Sequence, residues 1–271
     1  MSALTYHVLN VICQAHKLKF ECLSNKTITI FIFNFNFNGF FIVCEQKKTE
    51  NLLYLFIDNF YNNRRNMTTA AVKSKSAITV KGSAEIVCEY LNFGINSILF
   101  QRGIYPPENF QNAENYGLNI LMSTDNKIKE FLATTLEQLK EWLLKRTVHK
   151  VALVITNVKS MEVMERWDFK IEYEGDPSEG DAQTSEKPLK QIKNEIRDVL
   201  KQIASSVAYL PLLDCLCSFD LQIYTKNGVD LPNEWSEAEP ANIKNAQSVK
   251  MRSFSTNIHK METAVTYRND D

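Results

Sequence analysis

Residues 166–173 read RWDFKIEY, and nothing in them breaks the alternation of apolar and charged side chains. Successive side chains of a strand point to opposite faces. Trp167, Phe169, Ile171 and Tyr173 therefore share one face, and Arg166, Asp168, Lys170 and Glu172 the other. Such a strand belongs in an antiparallel sheet with one covered and one wet side. Residues 148–158 hold a second strand around the apolar run Val151-Ala-Leu-Val-Ile155, and residues 215–225 a third, with Cys215, Cys217, Phe219, Leu221 and Ile223 on one face.

The cover is supplied by three stretches with apolar residues at helical spacing. The first carries Ile86, Val87, Tyr90, Phe93, Ile95, Ile98 and Leu99, with Ser83 as its expected N-cap and Arg102-Gly103 as its end. The second starts at Thr124-Asp125 and carries Ile128, Leu132, Leu136, Leu139 and Leu143, joined by Phe131 and Trp142. The third spans residues 189–207, with Ile192, Ile196, Val199, Leu200, Ile203 and Val207 as its stripe. Between the strand at 166–173 and this helix, residues 174–188 (EGDPSEGDAQTSEKP) read as a mobile acidic loop. The pattern predicts an α+β domain: an antiparallel sheet with three helices on one face.

Residues 226–271 do not keep a single register. Val249 and Met251 are odd-numbered, Phe254, Thr256 and Ile258 even, and Met261, Val265 and Tyr267 odd again. Each change of parity needs a bulge or a break. Either the segment is two or three short strands, or it can pair in more than one way.

Residues 1–66 differ from the rest. They hold nine of the sixteen Phe, and residues 28–44 (ITIFIFNFNFNGFFIVC) combine alternating aromatics with Asn. That run is too short, and too polar at its middle, for a spanning helix, lies too far inside for a signal peptide, and has the makings of an aggregating strand. The residue types all have codons rich in A and T. We therefore expect residues 1–66 to be an extension outside the fold, read as translated non-coding sequence, with the domain at residues 67–271; the alternative is a genuine strand-forming extension. A peptide map of the natural protein separates the two.

A net charge of −1 supplies no basic field for nucleic acid or an anionic membrane. Cys13, Cys22, Cys44, Cys88, Cys215 and Cys217 form no CxxC pair, and with His7, His16, His149 and His259 they offer no metal-ligand spacing. Glycine-rich phosphate loops and GxSxG elbows are also missing from the sequence. We expect reduced thiols, no catalytic residues, no metal and no cofactor.

The segments GSAEIVCEYLNFGINSILFQRGIYPPE, EQLKEWLLK, ERWDFKIEYE, YLPLLDCLCSFDLQIYT and RSFSTNIHK, in that order, resemble the HORMA-domain family, in its mitotic-arrest-deficient-two branch. The resemblance covers about residues 77–268. It implies a non-enzymatic switch between open and closed conformers, in which a C-terminal safety belt (about residues 226–271) crosses the sheet and traps a partner peptide as an added strand. The implied partners are the mitotic-arrest-deficient-one coiled-coil protein, the activator of the anaphase-promoting complex and other checkpoint complex members; the implied locations are nucleus, kinetochore and cytoplasm. An open–closed homodimer is implied through Lys201 and Gln202, where the family has Arg-Gln and Lys lacks the planar guanidinium fork. Val80, Trp142 and Met261 are the implied switch positions. Phe254, Ile258, His259, Val265 and Tyr267 are the implied peptide-trapping belt residues, and Ser253 and Thr263 the belt hydroxyls where phosphorylation would oppose docking. Other branches of the fold, a translesion-polymerase accessory subunit or a meiotic axis protein, are the competing reading.

Overall fold

The structure is a computed structural model that describes residues 2–6, 32–33, 41–42, 77–175, 182–229, 232 and 235–269. Its elements in chain order are β1 (Ser2–Tyr6), β2 (Ile32–Phe33), β3 (Phe41–Ile42), β4 (Ile78–Thr79), α1 (Val80–Gln101), β5 (Phe110–Asn115), β6 (Leu118–Ser123), α2 (Asn126–Leu144), β7 (Val148–Asn157), β8 (Val163–Tyr173), β9 (Thr184–Ser185), α3 (Leu189–Ser205), β10 (Cys217–Thr225), β11 (Trp235–Ala238), β12 (Ala246–Lys250), β13 (Phe254–Ser255) and β14 (His259–Arg268). The chain divides into two compact units, Met1–Lys17 with Ala77–Asp271, and Leu18–Ser76. Within the second, β2 pairs antiparallel with β3. The rest of the Phe/Asn run, the middle of the acidic loop at 176–181, and Cys13, Cys22, Cys44, His7 and His16 lie outside the described residues.

The first unit is built on one antiparallel sheet of order β11-β1-β10-β7-β8-β14-β12, with β13 also paired to β14. Trp167, Phe169 and Ile171 of β8 are buried on its covered face, as their alternation requires. Three helices lie on that face, and α1 packs against α2, α3, the β5–β6 hairpin and β14. Tyr90, Leu91, Ile95, Ile98 and Leu99 of α1 are all fully buried. Complete burial of one such side chain contributes about 1.5–3 kcal/mol, which makes this helix the centre of the core.

Helix α1 begins one turn before the expected start. Thr79 is its N-cap, its hydroxyl accepting from the Gly82 amide at 3.1 Å, while Ser83 is buried and bonded elsewhere. Helix α2 is capped as expected by Asp125, which accepts from the amides of Lys127 and Ile128. The hairpin β5–β6 turns at Tyr116-Gly117, both at positive φ (53° and 68°), the two-residue geometry that matches strand twist. Near the start of β8, Arg102 and Glu165 form a buried ion pair, with Arg102 Nε donating at 2.8 Å and Trp167 Nε1 donating to the same carboxylate at 3.2 Å.

The extension is not wholly outside this sheet. Residues 2–5 pair antiparallel with β10 (Ser2 opposite Thr225, Leu4 opposite Ile223), and residues 3–6 pair on the other side with β11 (Ala3 opposite Ala238, Tyr6 opposite Trp235). A five-residue stretch with an ordinary backbone is enough to add a strand where an edge offers unpaired amides and carbonyls.

Candidate functional site

The segment after β10 runs around the sheet and encloses one strand position. Strand β11 has β1 as its ladder partner and, among the described residues, no other. From β11 the chain crosses the sheet face opposite the helices. There Gln222 Nε2 donates to the Glu239 carbonyl at 3.2 Å, and Arg166 Nη1 donates to the Ala241 carbonyl at 2.6 Å. Ala241 is buried with Ala152, Val154 and Tyr224 in a small second core. Arg166 is oriented by Asp168 at 2.9 Å, which also faces Lys150 at 3.3 Å, and Lys150 lies 3.7 Å over the Tyr224 ring. The charged face of β8 thus holds the crossing chain by its backbone. Beyond the crossing, β12 and β14 form a hairpin, and β14 pairs with β8 from His259 to Tyr267 at the far edge.

That far edge is anchored by side chains. Phe254 stands edge-on to Tyr90 at 4.8 Å, and the Tyr90 hydroxyl is 2.6 Å from the Thr263 hydroxyl. Ser83 Oγ lies 2.6 Å from both Thr256 Oγ1 and His259 Nδ1. Thr256 Oγ1 accepts from the amides of Ile258 and His259, closing a turn in which Asn257 adopts φ 65°. His259 is fully buried, and burial, helped by the positive charge of Arg146 and opposed by the Leu143 backbone, pushes its imidazole down to about 4. The ring is therefore neutral and docks as a hydrogen-bonding group. On α3, Gln202 Oε1 accepts from the Arg252 amide at 2.6 Å, and Arg252 pairs with Asp198 at 3.0 Å.

The parity changes at 249–267 fall between separate strands: β12 ends at Lys250, β13 is Phe254–Ser255, and β14 starts at His259. Of the switch positions, Val80 is the first residue of α1 and buried, Met261 is buried opposite Ile171, and Trp142 meets Trp235 of β11 edge-on at 5.0 Å. Phe254, Ile258, His259 and Val265 are buried, while the Tyr267 hydroxyl donates to Gln247 at 3.0 Å. Phe254, Ile258, His259 and Val265 are thus packed beside the β8 edge, Tyr267 bonds to β12, and none of the five lies in the strands flanking the enclosed position. The flanking strand of the belt is β11, whose four residues, bounded by Pro232 and Pro240, offer too little alternation to mark a strand in the sequence. Ser253 is exposed and Thr263 is buried in contact with Tyr90, so the two hydroxyls differ in access. Lys201 lies on the exposed side of α3, next to the belt-bonded Gln202.

Cys88, Cys215 and Cys217 are free thiols, and burial pushes Cys88 and Cys217 up to about 12. Among the described residues no group of His, Cys, Asp or Glu side chains is placed to hold a metal ion, and no helix is long and apolar enough to cross a membrane.

The sequence pattern of the HORMA domain family matches residues 83–259. The chain is 49% identical over 199 residues to the mitotic spindle assembly checkpoint protein MAD2A of Dictyostelium discoideum, covering 73% of this chain and 97% of that one. It is 47% identical over 194 residues to human MAD2A, covering 72% and 94%. Its fold matches a chain in a crystal structure of a mitotic checkpoint complex with a TM-score of 0.63 at 35% identity, covering 69% of this chain and 99% of that one.

Proposed function

This chain belongs to the HORMA-domain family, in its spindle assembly checkpoint branch, and from that premise we propose that it is a non-enzymatic adaptor that traps a partner peptide in the strand position between β10 and β11. One observation carries the reading. The strand in that position joins β11 to the rest of the sheet, so the belt closes onto an occupant and not onto the bare edge. Main-chain pairing on both sides gives affinity for any extended segment, and the pockets beside it select alternate side chains. The occupants are the activator of the anaphase-promoting complex and the mitotic-arrest-deficient-one coiled-coil protein. Holding the activator, with other checkpoint complex members, delays anaphase.

The described conformer is the closed one. Opening requires β14 to leave β8 and β11 to leave its neighbour, so interconversion is slow and a trapped peptide has a long residence time. Helix α3 is bonded to the belt through Gln202, which lets an open partner recognise this conformer by the α3 surface that includes Lys201. The protein works at kinetochores, in the nucleus and in the cytoplasm.

Affinity capture from mitotic extract with the full chain tests the reading. Recovery of the anaphase-promoting-complex activator is the expected result. Recovery of a polymerase subunit or a meiotic axis protein in its place would overturn it.

A further inference from the structure

We propose that residues 2–6 are a built-in occupant of the peptide position, so that this chain closes on itself and a partner peptide must displace its own strand. The proposal rests on the trap reading and adds what fills the trap when no partner is present.

Three observations carry it. First, β1 is paired on both sides at once, with β10 through residues 2–5 and with β11 through residues 3–6. A strand added adventitiously to an open edge would have one neighbour. Second, β1 is the strand through which β11 joins the sheet, so the closed belt described here is completed by a segment of the same polypeptide. Third, the register suits the position. Leu4 is opposite Ile223, a core residue of β10, and Tyr6 is opposite Trp235, the partner of Trp142. Ala3 and Thr5 are opposite Tyr224 and Gln222, on the face that the belt crosses at 239–241. The register thus sets alternate residues of β1 opposite core residues of its neighbours and the residues between them opposite those on the crossed face.

Covalent attachment makes the capture unimolecular. Effective concentrations for tethered segments reach about the millimolar range when the connection can span the sites. A free peptide then meets a position that is open only part of the time, and its apparent affinity falls by that fraction. The partner able to win is an extended segment of at least five residues, with apolar groups at alternate positions and small ones between. Because the ladders are main-chain bonds, the built-in strand needs no closer match than this.

The experiment compares the full chain with the full chain carrying Leu4→Pro and Thr5→Pro. Neighbouring residues of a strand direct their N–H groups to opposite sides, so the two prolines remove donors to both β10 and β11. The probe is a fluorescent peptide of residues 1–9, MSALTYHVL, and the second readout is amide exchange of residues 2–6. The expected result is protected amides in the unmodified chain, and probe uptake by the double variant at least about tenfold tighter than by the unmodified chain, as for a position free a tenth of the time. Equal uptake by both chains, with residues 2–6 exchanging like an open chain, would overturn self-occupancy and leave the trap intact. No uptake by a folded double variant would overturn self-occupancy, and capture of the activator from mitotic extract by that same variant tests the trap separately.

Discussion

The belt finishes the two edges of one sheet by different means. At the β8 edge it lays down a long strand, His259–Arg268, and fixes it with buried side chains: Phe254 on Tyr90, Thr263 on the Tyr90 hydroxyl, and His259 and Thr256 on Ser83. At the β10 edge, among the described residues, it contributes the short strand Trp235–Ala238, paired through its backbone to a five-residue strand, with Trp235 edge-on to Trp142. Side-chain packing demands particular residues, whereas main-chain pairing demands only an extended shape. The first edge is accordingly a fixed part of the closed fold, and the second is a place where different strands can be received.

Four measurements would sharpen or break this contrast. The largest effect is expected from Thr263→Glu, which puts a carboxylate where the hydroxyl meets Tyr90. Burying an unpaired charge should cost about 4 kcal/mol or more and undock the β8 edge, read by denaturant unfolding and by amide exchange across 259–268. Acid comes next. The His259 imidazole is near 4 when docked and near 6.5 when released, so between those values the released state binds more protons. Stability of the docked edge should fall as pH drops from about 6.5 to about 4, by about 3 kcal/mol in all, and His259→Gln should flatten that slope in urea midpoints. At the other edge, Trp235→Ala should speed release of a trapped peptide about tenfold, roughly the worth of an edge-on aromatic pair, with little change in exchange at 259–268. The smallest effect is Ser253→Glu, at an exposed position, within about 0.5 kcal/mol of the unmodified chain. If Thr263→Glu and Ser253→Glu behaved alike, the β8 edge would not be the packed anchor described above.

The same contrast explains how much of the molecule could be read from residue order. Trp167, Phe169 and Ile171 announce a half-buried strand because local alternation records burial on one face, and Ile192, Ile196, Val199 and Ile203 do the same for α3. The start of α1 lies a turn before Ser83 because Ser83, as good a cap as Thr79 by type, has its hydroxyl drawn away by the distant His259 and Thr256. The broken parity of 249–267 was visible, but which strand each fragment joins was not, since pairing partners are set by packing far along the chain. The switch and belt positions that the family resemblance implies include Phe254, His259 and Val265, which lie at the anchored edge. Trp235 and the β1 position are not legible in residue order because main-chain pairing leaves almost no mark on the side chains that take part in it.

The crossing at 239–245 has a consequence for timing. An occupant drawn sideways from between β10 and β11 is blocked until the crossing lifts, which means parting Arg166 from Ala241 and Gln222 from Glu239. The slow step of exchange then belongs to the holder. Raising the concentration of a competing strand decides which one enters next, but does not hasten the departure of the one already there. The molecule therefore releases what it holds at a rate of its own, and the abundance of those waiting sets which one enters next but not when.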